Sequence, residues 1–432
     1  MKYLVSGAVA ALVASSPVMA ADLVPVEPAP AIVGVPVYDW SGFYIGIGGG
    51  HGAVVHDVTS PIPFLGGANF NGIGGEGIFG ELTVGYDFAF NNGFVLGAQV
   101  NGRYGNIETS IDLLGPFIGA DVTAEYGFDV IARLGYTVAP NTLAYVLGGY
   151  TWQRFETSVN AFGIGIGYDF DESGYVLGLG LEHAIRDNWT VKGEYRYSDY
   201  GSHDGGILGV GLINVEPSMH TLHYSLNYRF NGGPSQRTVA PLNYNWTGLK
   251  VGVAAGGGGL VHELSTPILG GNSINGIGAE GFLGELNVGY DFEVGSNFVL
   301  GIVGAVRTTN IKTELNLPIA FAGTADIEAG TGYDVLARAG YKLGDRTLAY
   351  LVGGYTYQEF DVNFPGFGSV IDWDQDGWTI GSGMEVAFSD RITGYAEYRY
   401  SQYSGEDFGT GGLLDLEPSS HTVRAGAKFK LF

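Results

Sequence analysis

The chain carries one strand pattern twice. GEGIFGELTVGYDF at 75–88 returns as AEGFLGELNVGYDF at 279–292, YVLGGYTWQRF at 145–155 as YLVGGYTYQEF at 350–360, and GEYRYSDY at 193–200 as AEYRYSQY at 396–403. The offset stays between 203 and 205 residues, so a unit of about 190 residues is duplicated whole. Inside each motif apolar residues take every second position, the period of a strand whose two faces meet different surroundings. A chain written this way folds as all-β structure, and what matters is which face meets what.

Composition narrows the surroundings. With no cysteine among 432 residues, disulfides and thiolate metal sites are excluded. Only 15% of residues are charged, low for a water-soluble chain, yet the formal net charge is −24. That acidity excludes a nucleic-acid partner, which needs basic patches. Residues 1–20 read as a secretory signal: Lys2, an apolar run from Tyr3 to Ala14, and SSPVMA before a cut after Ala20. No other segment approaches 18 consecutive apolar residues, so the expected mature protein is exported and has no membrane helix.

Residues 21–39 read as an extended Pro-rich leader, 40–230 as the first unit, 231–245 as a linker and 246–432 as the second unit. WSGFY at Trp40 and WTGLK at Trp246 open the two units. Each resolves into eight candidate strands, near 42–55, 76–90, 93–106, 124–138, 141–157, 174–186, 188–199 and 220–230, with equivalents from 248 to 432. Tight turns such as Asn91-Asn92-Gly93 and Arg186-Asp187-Asn188 alternate with longer connections such as 56–74, 107–123 and 200–219. An even strand count with short turns at one end and long loops at the other predicts a transmembrane antiparallel up-and-down β-barrel.

The faces agree. On 125–136, Tyr126, Phe128, Val130, Ala132, Leu134 and Tyr136 oppose Glu125, Gly127, Asp129, Ile131, Arg133 and Gly135. Aromatics gather towards the ends of the apolar faces, as an interfacial girdle requires, and lipid accepts a sheet only when it closes on itself. The other face carries both charge signs: Glu81, Arg103, Asp129, Arg133, Lys192, Glu194 and Arg196, then Glu285, Arg307, Asp334, Arg338, Glu397 and Arg399. Unpaired, these charges would be costly, so an interior network is expected, with Glu194 and Arg196, Asp129 and Arg133, and Arg103 as partners.

WSGFYIG at 40–46, EYRYSDYG at 194–201 and HT at 220–221 leading into an aromatic-ended strand resemble the small outer-membrane immunogenic proteins of alphaproteobacteria. The resemblance spans both units and implies OmpA-like eight-stranded barrels without a periplasmic domain, in the outer membrane of a Gram-negative bacterium. It also implies contact with outer-membrane lipid or lipopolysaccharide and recognition of the last strand by the assembly machinery. Phe230 ends a clean alternation of Leu222, Tyr224, Leu226 and Tyr228, whereas Phe432 stands one step out of phase with Val423, Ala425, Ala427, Phe429 and Leu431.

Sixteen strands can close as two tandem eight-stranded barrels with filled interiors or as one sixteen-stranded barrel around an aqueous channel. The 15-residue linker, the repeated Trp-x-Gly entry and inward Val299, Val303 and Leu336 favour two; direct closure with both ends on the periplasmic side favours one. The balance leans slightly to two barrels.

Catalytic and cofactor signals are absent from the pattern. GIGGEG at 72–77 and GGGG at 256–259 lack the following GK[ST] of a phosphate cradle. Asp372, Asp374, Asp376 and Gly377 match the opening of a calcium loop, but position twelve is Gly383 instead of Glu, and a solvated acidic loop is the preferred reading. The expected function is therefore non-enzymatic: structural support of the outer membrane with surface-exposed loops. The alternatives are a diffusion porin, whose lumen Arg103, Arg133, Arg307 and Arg338 would line, and a surface adhesin or antigen.

Overall fold

The computed structural model describes residues 34–59, 69–113, 118–207, 210–266, 272–316, 324–364, 369–408 and 414–432; the expected signal and most of the leader lie outside them. The first unit contributes β1 (Gly42–Thr59), β2 (Asn69–Ala89), β3 (Phe94–Leu113), β4 (Ile118–Ala139), β5 (Thr142–Ala161), β6 (Ile164–Ala184), β7 (Trp189–Tyr200) and β8 (Val210–Arg229). The second contributes β9 (Gly248–Thr266), β10 (Asn272–Val294), β11 (Phe298–Thr309), β12 (Thr324–Lys342), β13 (Thr347–Phe364), β14 (Ser369–Ala387), β15 (Ile392–Tyr403) and β16 (Leu414–Lys430). Within each unit every strand pairs antiparallel with its sequence neighbour.

Closure settles the barrel count. β8 returns to β1, with Arg229 opposite Tyr44 and Leu222 opposite His51. β16 returns to β9, with Lys430 opposite Lys250 and Val423 opposite Gly257. One sixteen-stranded barrel would need β8 to pair with β9 and β16 with β1. The molecule is two eight-stranded barrels in tandem.

The strands run further than expected at the long-loop end. The span between the expected strands 141–157 and 174–186 is a continuous hairpin that turns at Phe162 (φ 51°) and Gly163 (φ 82°), the positive pair a two-residue primed turn demands. The glycine runs have a packing reason. A Cβ on Gly50 would sit 1.7 Å from the Leu222 carbonyl oxygen, and one on Gly256 1.9 Å from that of Val423, so the closing strands approach where no side chain fits.

Leader and linker are more than tethers. Val35–Tyr38 pairs antiparallel with Pro234–Val239. At and beyond the ends of this pair, Tyr38 and Trp40 pack into the turn end of the first barrel, and Tyr244 and Trp246 into that of the second. Burial pushes the Tyr38 phenol above its ordinary pKa, so it stays protonated and donates to the Asp187 carbonyl at 2.7 Å.

Outward faces are apolar and open. On β4, Tyr126, Val130, Leu134 and Tyr136 are exposed while Asp129, Ile131 and Arg133 are buried. Ten residues separate the two tyrosines; at about 3.4 Å per residue and a tilt near 40°, they stand about 26 Å apart along the barrel, the height of a hydrocarbon band. Val130 lies midway between them. Val130→Arg should lower stability in vesicles by about 2–4 kcal/mol, read from urea titrations; an unchanged midpoint would contradict lipid contact at that face.

The barrels stand side by side, joined through equivalent residues. Thr142 Oγ1 and Thr347 Oγ1 share a 2.9 Å hydrogen bond at the turn end. At the loop end Ile73 pairs with Ile277, Asn69–Asn71 with 314–316, and Ser273–Asn275 with 110–112. Contacts between copies of one position mark an approximate two-fold axis running from turn end to loop end, as in an isologous dimer. Both barrels therefore point the same way, as insertion from one side of a membrane requires.

Candidate functional site

Inside the first barrel the inward parity of each strand collects five buried carboxylates, Glu81, Asp87, Asp129, Glu182 and Glu194, and five buried cations, Arg103, Arg133, Lys192, Arg196 and Arg229. They form two linked layers. Nearer the loops, Arg196 reaches Glu81 at 2.8 Å, Asp129 at 2.9 Å and also Glu194, while Arg103 holds Asp129 at 2.6 Å. Gln153, Thr151 and Tyr200 also accept from Arg103, and His223 shares a 2.8 Å hydrogen bond with Glu81. Nearer the turns, Arg133 and Arg229 both grip Asp87 and Glu182, the latter at 2.9 Å from each. Lys192 sits 3.2 Å from Glu194 between the layers.

One expected pairing is corrected. Asp129 pairs with Arg103 and Arg196, whereas Arg133 turns to Asp87 and Glu182. Four residues along one strand separate Asp129 from Arg133 by about 14 Å, beyond side-chain contact. Neighbouring strands supply the partners.

The second barrel repeats the design with different cations. Arg307 holds Asp334, Arg399 bridges Glu285, Asp334 and Glu397, and Arg338 binds Asp291 and Glu385. Where the first barrel uses Arg229, the second uses Lys250 and Lys428, 3.3 and 3.1 Å from Glu385. Arg424 takes the place of His223 against Glu285. Interior charge is nearly balanced in each barrel, so the net −24 of the chain resides outside them.

Apolar layers cap the ionic ones. Trp40 stacks on Arg229 at 4.9 Å and Trp246 on Lys250 at 4.8 Å. Above the charges, Phe155 packs with Phe79, Phe170 and Tyr200, and Phe360 with Trp373 and Tyr403. Buried cations satisfied by carboxylates and sealed by aromatic rings fill the interior.

Asp87 and Asp291, which alternation puts on the polar face of their strand, join these networks, and Glu182, Arg229, Lys250, Glu385, Arg424 and Lys428, absent from the expected set, complete them. Their signal was available: each sits at inward parity, Glu182 between outward Leu181 and the turn, Glu385 beside Met384.

The acidic run at 372–377 corrects another expectation. It lies within β14, not in a loop, paired residue by residue with β13. Asp374 and Asp376 point outward and are exposed, while Trp373 and Gln375 point inward. An extended strand cannot fold its carboxylates around an ion, and among the described residues no group of three or more His, Asp or Glu could hold a metal.

A third cluster joins the barrels. His220 Nε2 lies 3.0 Å from Glu280 of the second barrel, and His421 Nε2 lies 2.8 Å from Glu76 of the first. Ser218 donates to Glu280 and Ser419 to Glu76; Tyr195 and Tyr398 hold the Nδ1 atoms of the two histidines. Each element of this double latch is the repeat equivalent of its counterpart. Sequence reasoning missed it because a single strand pattern does not say which outward faces meet.

Closed antiparallel barrels of eight strands, lipid-facing outside and charge-paired inside, define a small transmembrane β-barrel of the outer membrane. The chain belongs to the outer membrane protein beta-barrel domain family, whose model matches it twice, at residues 7–230 and 235–429. It is similar to the 31 kDa outer-membrane immunogenic protein of Brucella melitensis, 31% identical over 250 residues that cover 53% of this chain and all of the relative. The 25 kDa outer-membrane immunogenic protein of the same species is 28% identical over 202 residues, 45% of this chain and 84% of the relative. The protein is an integral protein of the outer membrane.

Proposed function

We propose that the chain is a non-conducting barrel pair that braces the outer membrane and displays long β-hairpins at the cell surface. The carrying observation is the interior: ion-paired layers between aromatic caps occupy both barrels where a diffusion channel would need open water. Arg103, Arg133, Arg307 and Arg338 are engaged by carboxylates inside these layers, which speaks against their lining a lumen. Because its charged side chains are engaged with one another, we assign the interior no catalytic role.

Two further assignments belong to this reading. Exposed Phe432, two residues past β16, is the mark for the assembly machinery, and Phe230 is its internal copy. The apolar belts contact outer-membrane lipid and the loop-end strands the lipopolysaccharide layer. Display at the surface agrees with relatives named as immunogenic outer-membrane proteins. Single-channel recording on protein whose folding is verified by heat-modifiable gel mobility tests the proposal. Silent bilayers are expected; stable conductance steps would replace it with transport.

A further inference from the structure

Between the barrels lies a cavity of about 490 Å³, within the size range of a ligand site. Leu179 and Val191 wall it from the first barrel, Tyr341, Leu351 and Met384 from the second. All point outward from their barrels, so the walls are lipid-facing surfaces turned towards each other. The gap exists because the walls are small at equivalent places: Gly193 opens GEYRY in the first repeat and Ala396 opens AEYRY in the second, and both line it. The Tyr224 hydroxyl and Ser382 Oγ hydrogen-bond across its loop-side limit. Phe298 and Tyr341, beside the tight turns, mark its periplasmic limit.

Such a space is too apolar for water, and left empty it forfeits the dispersion contacts of every wall atom. At this depth the surrounding medium is hydrocarbon. We propose that the inter-barrel cavity binds one phospholipid of the periplasmic leaflet, an acyl chain between the barrels and its headgroup at the tight-turn rim. The lipid then acts as a wedge that completes the interface below the histidine latch.

The test is native mass spectrometry of the full chain refolded into vesicles of a single diacyl phosphatidylethanolamine and extracted in mild detergent. Wild type should retain one lipid. Gly193→Leu should lose it, since a Cβ there meets only the Tyr224 ring at an ordinary 3.8 Å and the added side chain fills the cavity. Ala396→Leu makes the same change from the opposite wall, and Ala132→Leu, on an exposed face of β4, should leave retention intact. Loss in either folded cavity variant with retention in Ala132→Leu supports the site. A wild type that carries no lipid, or cavity variants that retain it as wild type does, overturns it.

Discussion

Replacing Arg196 with methionine should lower the stability of the first barrel by about 3–5 kcal/mol, the loss expected when one partner of a buried ion cluster is removed. Arg196 is the only described cation touching Glu81, Asp129 and Glu194 together, and all four side chains are at most 1% exposed. Methionine keeps the length and volume of the stem but leaves carboxylates facing one another in a dry interior. Urea unfolding of the refolded protein should show the first transition displaced. Adding Glu194→Gln should recover part of the loss, because contacting residues couple. Arg154→Met is the control. That arginine pairs with Asp169 and Asp171 on an exposed hairpin, where an ion pair adds little, and its midpoint should stay in place. Equal effects of the two substitutions would mean that the interior charges are solvated, and the sealed reading would fall with them.

Trp40→Ala should cost a comparable amount, about 3–5 kcal/mol for deleting a fully buried indole. Trp40 is 1% exposed, packs edge-on against Tyr38 at 4.8 Å and covers the Arg229 guanidinium. Its removal takes away the cap and its ring contact to Arg229 but leaves the pairing of Arg229 with Asp87 and Glu182 in place. The variant should therefore unfold at lower urea yet remain silent in a planar bilayer. A conducting Trp40→Ala protein would show that the indole, not the charge network, is what closes the barrel.

Much of this architecture was legible in the chain. Duplication and alternation sorted Asp129, Ile131 and Arg133 inward and Tyr126, Val130 and Tyr136 outward, because a strand's side chains must alternate and each face must suit its medium. Tight turns against long connections put eight strands in each unit. What alternation could not supply was reach across strands. It offered Asp129 to Arg133 on the same strand, when Arg103 and Arg196 on other strands were the partners. It also treated Asp372, Asp374 and Asp376 as a loop, because polar residues on a strand outside the hydrocarbon read like loop residues.

By itself, then, the sequence determined the strand count, the alternation of inward and outward faces along its strands and the presence of both charge signs inside, since these follow from local periodicity and from the cost of burying polar groups in lipid. Only the tertiary structure decided that β8 closes on β1 and β16 on β9, making two eight-stranded barrels instead of one of sixteen strands. It alone showed that His220 meets Glu280 and His421 meets Glu76. Closure and docking depend on which distant edges and faces come together, and alternation along one strand carries no record of its partner.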